Sequence, residues 1–566
     1  MSLEEHVKKR IQLWLDGPFD LETKQEIERL LNEDPQALSD AFFQDLSFGT
    51  GGMRSLMGIG TNRINIYTIR TATQGLANYL KKQKEKNLCV FIGYDTRENS
   101  RLFAEEAAKV LIGNQIKVFL AHDFCPTPLT SFACRYFQCH AAIMITASHN
   151  PPQYNGYKVY WSDGGQIIAP HDQQIIEHVK KTKDVLLGSL DSPLLKWVKE
   201  EIDEAYFKEL KKMQLHPEPD MSSLKIIYTN LHGTGIRMVP KALKLCGHTN
   251  ISLVGPQSFP DGKFPNAPSP NPEEEKALQL GTELLLVEQA DILIATDPDA
   301  DRMGVVVRHK NKPIRFTGHQ IACICLYHLC SSLKQKEKLL PHAACIKTIV
   351  TTELFTKIAQ SFGCACLDVL TGFKYIAEKI ENWKKEPNSP HFLFGAEESY
   401  GYLAGTFVRD KDAISSACLI AEIADKTKRE GQTLQDLLHY LYHKYGIHRE
   451  SLSTLAFPDT QEGMKQMKNL MGNLRQNPPS KIAGKKVIEY EDYLSGNLPL
   501  PPSDVLRFWL ADGSKLVIRP SGTEPKVKIY AEVFEKETNA LEQKIQECDE
   551  RLRVLLKDFC SHFFEN

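Results

Sequence analysis

Apolar and polar residues follow two distinct periods along this chain, and the switch from one to the other recurs. In "LCVFIGYDTRENSRLFAEEAAKVLI" (88–112) a solid apolar run gives way to a polar loop, then to apolar residues at helical spacing. A short continuous apolar run bounded by turn residues predicts a strand buried on both faces, and the period that follows predicts a helix laid across it. "LKIIYTNLHGTGIRMVPKALKLC" (224–246) and "AACIKTIVTTELFTKIAQSFG" (343–363) repeat the order. Each is followed by a second short apolar run: "IKVFLA", "ISLVG" and "CACLDVL". Strands that alternate with helices favour parallel sheets covered by helices.

Further along, each unit has a third apolar run that ends in an unusual polar loop. "AAIMI" leads into "TASHNP", "ADILIA" into "TDPDADR", and "HFLF" into "GAEESYG". Ligands of open α/β sheets gather at the carboxyl ends of strands, so three loops in corresponding places predict three similar domains that converge on one site. A long helical stretch from Asp412 follows. The Pro- and Gly-punctuated tail then carries strands at "VLRFWLAD", "SKLVIRP" and "KVKIYAEVF" and a closing helix, an α+β pattern. The expected domains are 1–215, with a helical N-terminal segment joined through "FGTGGMRSLMGIGTNRIN", then 216–336, 337–449 and 450–566.

Composition narrows the function class. A chain of 566 residues is long enough for about four domains. Its formal charge of −2 gives no basic stripe for nucleic acid and no polybasic membrane patch. The charged N-terminus lacks a secretory pattern, and no apolar run approaches about 18 residues. Cys323-Ile-Cys325 and Cys364-Ala-Cys366 lack zinc spacing and read as core thiols of a reducing, cytoplasmic compartment.

The loops carry the candidate chemistry. "TDPDADR" places Asp297, Asp299 and Asp301 at alternate positions, so that in an extended segment three hard oxygen ligands share a face. A calcium loop is excluded by Arg302 and Arg308, where that loop needs glycine and glutamate. Three neighbouring carboxylates repel without a counter-ion, which favours a cation, Mg²⁺, over a solvated acidic turn. Arg302 reads equally as an ion-pair partner of that cluster and as a phosphate donor. "IRPSGTEPKVK" sets Arg519, Ser521, Gly522 and Thr523 in a tight loop; a plain turn and an anion cradle both fit, and Lys526 and Lys528 tilt the balance toward phosphate. Glu397 and Ser399 in "GAEESYG" suit sugar hydroxyls, although a Glu-Glu pair alone reads as a solvated turn. Lys411, between Asp410 and Asp412, is a solvated lysine or a proton carrier. Ser148 in "TASHNP" by default caps a turn. No G-x-S-x-G elbow surrounds it, so a hydrolase triad is not indicated, and beside a cation and phosphate donors its alternative role is to carry a phosphoryl group.

Taken together, "TASHNP", "DPDADR", "EESYG" and "RPSGTEP", in that order, resemble the α-D-phosphohexomutase superfamily, over nearly the whole chain from about residue 40. Stretches such as "HNPPQYNGYKVYWSDGGQI" and "GYLAGTFVRDKDA" are similar to its phosphoglucomutase-2 type. The resemblance implies an α/β fold of four domains, three similar mixed α/β sheet domains and a C-terminal α+β domain, around a central active-site cleft. It implies that Ser148 is phosphorylated and completes a Mg²⁺ shell with Asp297, Asp299 and Asp301. Arg54, His149, Lys158 and Arg302 would surround the reacting phosphate, and Lys411 would move a proton. Thr371, Gly372, Glu397 and Ser399 would hold the sugar, while Arg519, Ser521, Gly522, Thr523 and Lys528 would hold the non-reacting phosphate. Pro298 and Ala300 stand where glycines are common, Ala396 where glycine is frequent, and Lys528 where arginine is frequent.

The implied activity is an intramolecular phosphotransferase that interconverts glucose 1-phosphate and glucose 6-phosphate. A sugar 1,6-bisphosphate serves it as intermediate and activator. Phosphopentomutase, phosphomannomutase and glucose-1,6-bisphosphate synthase activities stand as alternatives within the family. An aspartyl phosphatase would leave "TASHNP" and "RPSGTEP" idle, and a sugar-phosphate sensor would not need the chemical residues. Expected partners are sugar monophosphates, with no nucleic acid and no membrane, and the chain is expected to be a monomer or small homo-oligomer.

Overall fold

A computed structural model describes residues 3–46, 52–83, 85–217, 221–458, 461–521 and 525–561. They form two compact units, Met1–Val306 with Gly405–Ala421, and Val307–Ala404 with Glu422–Asn566. Among the described residues no helix is long and apolar enough to cross a membrane.

The first unit holds two sheets. In the larger, Cys89–Tyr94 pairs in parallel with Lys117–Ala121 on one side and Ala141–Ile145 on the other, and Leu195–Val198 extends the parallel run beyond Lys117–Ala121. Tyr154–Trp161 then returns antiparallel to Ala141–Ile145, and Met53–Leu56 pairs antiparallel with it at the edge. The apolar runs predicted as doubly buried are so: every residue of Cys89–Tyr94 and Ala141–Ile145 is buried. Helices sit tightly on them. A Cβ at Gly93 would lie 2.2 Å from Thr130 Oγ1 on the covering helix Thr127–Tyr136, so that position requires glycine.

The second sheet of this unit centres on Ile226–Thr229, parallel to both Ile251–Leu253 and Ile292–Thr296. The N-terminal segment is helical as expected. Helices Glu5–Asp16, Leu21–Glu33 and Pro35–Phe42 share a small core of Val7, Ile11, Trp14, Ile27, Leu38 and Phe42.

Sequence continuity does not decide the packing of Gly405–Ala421, which joins the first unit. Arg135 Nη1 donates to the carbonyls of Thr406 and Phe407 (2.7 and 2.6 Å). The phenols of Tyr160 and Tyr206 donate to Asp410 and Asp412 (2.8 and 2.6 Å). Each buried aspartate thereby gains a partner that offsets its desolvation.

In the second unit, Ala343–Thr348 lies between Ala365–Val369 and His391–Ala396, parallel to both, and Tyr402–Ala404 closes the sheet antiparallel. The C-terminal sheet is antiparallel throughout, in the order Ile447–Ala456, Lys526–Glu535, Lys515–Pro520, Leu506–Leu510, Lys485–Asp492, Lys481–Ile482. Its closing helix, Leu541–Ser561, buries Cys548, Leu552, Leu555 and Phe559. Ile349, Val350 and Leu370 pack with Tyr493, Val505, Val517 and Tyr530 in one cluster. Beside it a chain of ion pairs runs from the half-buried Asp368 through buried Lys347 and half-buried Glu353 to buried Lys515 and Glu532.

Candidate active site

The strand Ala141–Ile145 ends in a turn that Ser148 makes with φ 54°, the left-handed region that disfavours most side chains. Ser148 N donates to Thr146 Oγ1 (2.8 Å), and Asn150 N to Ala147 O (3.1 Å), so the bend is closed locally. It is also clamped from behind. Arg97 follows the neighbouring strand Cys89–Tyr94 and is itself buried. Its Nη2 donates to the carbonyls of Ser148 and Asn150 (both 2.5 Å), and its Nη1 to those of Pro151 and Tyr154 (2.9 and 3.1 Å). Asp95 Oδ2 lies 3.2 Å from its Nε, and the Phe264 ring lies under its guanidinium, 4.9 Å away. A cation that collects four carbonyls fixes the loop more firmly than neutral donors could.

Ser148 is 2% exposed, and its Oγ donates to Asp297 Oδ2 (2.8 Å). His149 Nδ1 lies 3.1 Å from Ser148 Oγ. Burial, then Arg302 and Arg54, push the His149 imidazole well below its ordinary range, so it is neutral near pH 7. Arg54, on the edge strand Met53–Leu56, donates to Asn150 Oδ1 (2.8 Å).

Ile292–Thr296 delivers the three aspartates. They converge, with one oxygen from each within 4.8 Å of the others, but not through an extended backbone. The segment is a turn: Ala300 N donates to Asp297 O (2.9 Å), Ala300 has φ 52°, and Asp297 Oδ1 accepts from the backbone N–H of Asp301 and Arg302 (3.1 Å each). Glycine would adopt this φ without cost, whereas alanine bears about 1–2 kcal/mol.

The cluster is thick with cations. Asp299 Oδ2 accepts from Lys158 Nζ (2.8 Å) and Thr127 Oγ1 (2.7 Å), and Asp301 Oδ2 lies 3.2 Å from both Lys158 and Lys411. Lys411 is held in turn by Asp410 (3.1 Å), which Tyr160 fixes. Burial, then Asp299 and Asp301, drive Asp297 well above the carboxylate range, while at Asp301 Lys411 and Lys158 overcome burial and hold the group ionised. Asp299 Oδ1 and Asp301 Oδ1 are buried with no hydrogen-bond partner. Buried carboxylate oxygens without donors are what a divalent cation with hard oxygen ligands would satisfy, so the residues fit Mg²⁺. Arg302 Nη1 donates to Glu273 Oε1 (2.8 Å), outside the three aspartates, while its Nε lies 3.9 Å from Asp301 Oδ1.

The remaining expected residues lie in the second unit. Glu397 is buried at 5% exposure, which overturns the solvated-turn reading of "GAEESYG". Its backbone N–H donates to Gly401 O (2.9 Å), and Thr348 Oγ1 donates to Glu398 Oε2 (3.0 Å), so the loop folds inward. Ser399 in the same loop is half-buried. Thr371 Oγ1 is buried without a hydrogen-bond partner, and Gly372 (φ 124°) opens the helix Phe373–Lys385. Arg519 and Lys528 are direct partners on adjacent antiparallel strands, both at least partly exposed. Like charges in that relation repel unless an anion sits between them. Ser521 N donates to Lys526 O (2.7 Å), while Gly522 and Thr523 lie outside the described residues.

Sequence reasoning missed Arg97, Asp95, Thr127, Asn150, Tyr160 and Asp410. The signal for two of them was present: "GYDTR" sits at the carboxyl end of a doubly buried strand, where the sheet gathers its ligands.

Known proteins agree with this arrangement along the chain. Models of the phosphoglucomutase/phosphomannomutase α/β/α domains I, II and III match residues 45–185, 204–310 and 317–445, and that of the family's C-terminal domain matches 457–546. A phosphoglucomutase of Staphylococcus haemolyticus is 39% identical over 507 residues, 86% of this chain and 90% of that protein. One from Staphylococcus epidermidis is 37% identical over 534 residues, 91% of this chain and 96% of its own length. Among solved structures, the open form of the Paramecium exocytosis-sensitive phosphoprotein pp63/parafusin, a phosphoglucomutase, superposes with a TM-score of 0.67 over 90% of this chain and 95% of its own. At 18% identity that match speaks for the fold. By its four domains and by its curated relatives, this chain belongs to the phosphoglucomutase/phosphomannomutase family of the α-D-phosphohexomutase superfamily.

Proposed function

We propose that the chain interconverts glucose 1-phosphate and glucose 6-phosphate through a phosphorylated Ser148 and a bound glucose 1,6-bisphosphate. The observation that carries this reading is the buried Ser148 hydroxyl, 2.8 Å from a carboxylate of a three-aspartate cluster that has two oxygens without donors.

In the forward half, the Oγ–P bond of phospho-Ser148 breaks as a bond forms from phosphorus to the free sugar hydroxyl. That hydroxyl gives up its proton, and the serine oxygen takes one. In the return half, the sugar's other phosphate passes to Ser148. Neutral His149, 3.1 Å from Ser148 Oγ, is assigned the exchange of a proton there, and Lys411, held by Asp410 at the cluster, is assigned the proton of the sugar hydroxyl. Mg²⁺ held by Asp297, Asp299, Asp301 and phospho-Ser148 would draw charge from the transferring group. Lys158 and Arg54 add fixed positive charge on the same side. The burial of Ser148 keeps water from its phosphate. Glu397, Ser399, Thr371 and Gly372 are assigned to the sugar. Arg519, Ser521, Gly522, Thr523 and Lys528 are assigned to the phosphate that does not react, which must be gripped in both orientations of the bisphosphate.

Coupled assays on glucose 1-phosphate, mannose 1-phosphate and ribose 1-phosphate, with and without glucose 1,6-bisphosphate, test the reading. Turnover should be highest on glucose 1-phosphate and should rise with the bisphosphate; a preference for ribose 1-phosphate would make the chain a phosphopentomutase instead.

Two variants separate positioning from recognition. Arg97 reaches the serine loop only from behind, through its backbone carbonyls, so Arg97→Lys, with fewer donors for four carbonyls, should lower kcat roughly tenfold or more and leave KM nearly unchanged. Steady-state kinetics on the phosphorylated variant decide it, and an unchanged kcat would show that the loop holds its shape without the clamp. Arg519 should behave oppositely. Its grip on the non-reacting phosphate is similar in ground and transition states, so its loss removes mainly uniform binding. A charge-assisted hydrogen bond of about 1.5–3 kcal/mol corresponds to roughly a ten- to hundredfold rise in KM for glucose 1-phosphate in Arg519→Ala, with a smaller loss of kcat. A collapse of kcat at wild-type KM would move Arg519 to the transferring phosphoryl group.

A further inference from the structure

The turn that carries the three aspartates is held at successive carbonyls by the beginnings of three helices. Thr234 N, just ahead of the helix Gly235–Leu245, donates to Pro298 O (2.7 Å). Thr127 N, the first of the helix Thr127–Tyr136, donates to Asp299 O (2.8 Å). Ala413 N, the first of the helix Ala413–Arg429, donates to Ala300 O (3.3 Å). The opening N–H groups of a helix have no partner within it, so each contact satisfies an orphan donor and a buried loop carbonyl at once. The approach is close: a Cβ at Gly233 would lie 2.2 Å from Pro298 Cα.

One of these three residues also reaches an aspartate side chain. Ala413 has no polar side chain, and Thr234 Oγ1 is without a hydrogen-bond partner. Thr127 grips Asp299 twice, through its amide and through Oγ1, which donates to Asp299 Oδ2 (2.7 Å). It is fully buried, and it stands between Pro126 and Pro128, which carry no N–H. A threonine hydroxyl near a helix start ordinarily bonds within its own turn. This one crosses 172 residues of sequence, to the loop that follows the other sheet of the unit.

The consequence is which oxygen remains. Asp299 Oδ2 is taken by two donors, Thr127 and Lys158 (2.8 Å), whereas Oδ1 has none. Lys158 does not set that choice alone, because its ammonium also reaches Asp301 Oδ2 (3.2 Å) and sits on a flexible stem that can follow either carboxylate. Thr127 lacks that freedom. Its backbone is fixed by the amide bond to Asp299 O, and its β-branched side chain is stiff about χ1.

We propose that Thr127 is a positioning residue for the cation: its hydroxyl holds Asp299 Oδ2, so that Oδ1 is the oxygen offered to Mg²⁺. The inference rests on the reading of Asp297, Asp299 and Asp301 as Mg²⁺ ligands. Thr127 acts through Asp299, as the hydrogen-bonded partners of metal-binding carboxylates do.

Melting curves of the full chain over a Mg²⁺ series test it, with Thr127→Val, Thr127→Ala and Thr127→Ser beside the wild type. Valine keeps the shape of the side chain without the donor. Alanine removes the donor without setting a methyl group against Asp299, and serine keeps the hydroxyl. The valine and alanine variants should each need roughly ten- to a hundredfold more Mg²⁺ for the same rise in melting temperature, and serine should recover most of that shift. In the phosphorylated enzyme the Mg²⁺ concentration for half-maximal mutase rate should move by the same factor, with KM for glucose 1-phosphate at saturating Mg²⁺ unchanged. A threonine that only joins the two sheets predicts something else: a melting temperature lowered equally at every Mg²⁺ concentration, with an unshifted Mg²⁺ midpoint. That result would overturn the inference and leave the cation in place. A wild type whose melting temperature ignores Mg²⁺ would remove the cation reading itself, and the inference with it.

Discussion

Ser148→Ala is expected to abolish mutase turnover, by at least about a thousandfold, while the protein stays folded. The size of the loss follows from the role, since without the serine oxygen there is no acceptor for the phosphoryl group between the two halves of the reaction. Thr146 is the other hydroxyl of this loop, but it is 1% exposed and its Oγ1 already accepts from Ser148 N, so it cannot substitute. Intact mass of the active wild type should show one added phosphate that fragmentation places on residue 148, and the alanine variant should show none. The structural cost is small: one hydrogen bond to Asp297 is lost, about 1 kcal/mol. Melting temperatures should therefore lie within a few degrees of each other, which keeps a dead variant distinct from an unfolded one. A fully active protein without phosphate on Ser148 would remove the mechanism.

The same loop shows what the chain states locally and what it states only through packing. Doubly buried strands such as Cys89–Tyr94 and Ala141–Ile145 are plain in the sequence because their apolar runs have no polar interruption. The three repeats of strand, helix and strand, and the polar loops at their ends, follow from the same pattern. The bend itself was open to two readings, because a serine that caps a turn and a serine that carries a phosphate look alike over six residues.

Asp297, Asp299 and Asp301 were read as an extended face; they converge because Ala300 adopts a left-handed φ, which alternation of side chains cannot reveal. Arg97 was overlooked because an arginine in a loop is ordinarily a solvated one. Only the fold brings four carbonyls to its guanidinium, the most distant in sequence from Tyr154. Lys411 is the plainest case of information that lies far along the chain. Its neighbours Asp410 and Asp412 are fixed by Tyr160 and Tyr206, each more than 200 residues away in sequence, and no local pattern carries such a pairing. In "GAEESYG" the pair of glutamates suggested water, yet Glu397 and Glu398 are turned inward because the loop closes on Gly401 and Thr348.

Asp299→Asn is the second large effect expected, and it has a Mg²⁺ dependence that a merely structural aspartate would not produce. In the wild type three carboxylates crowd within 4.8 Å, against Lys158 and Lys411. Without a cation Asp297 is driven toward its neutral form while the ionised Asp299 is held by Lys158, so the removal of the Asp299 charge should leave the variant's melting temperature somewhat below that of the wild type. The amide oxygen can still accept from Thr127 and Lys158, and Lys158 keeps Asp301 at 3.2 Å, so no buried lysine is stranded and the loss stays modest. With Mg²⁺ the gap should widen. A cation that binds only the folded state raises stability in proportion to its occupancy, and the wild type holds it with one more anionic ligand. Loss of groups that merely orient metal ligands typically costs 10–100-fold in affinity, and loss of a charged ligand should cost about 100-fold or more. Melting curves over a Mg²⁺ series should thus show a steep rise for the wild type and a shallow one for Asp299→Asn. The Mg²⁺ concentration for half-maximal activity should shift by the same factor, and the ceiling rate should fall because less charge is drawn from the transferring phosphoryl group. Full wild-type activity in excess chelator, or a wild-type melting temperature indifferent to Mg²⁺, would mean that the two unpartnered oxygens of Asp299 and Asp301 await something other than a metal ion.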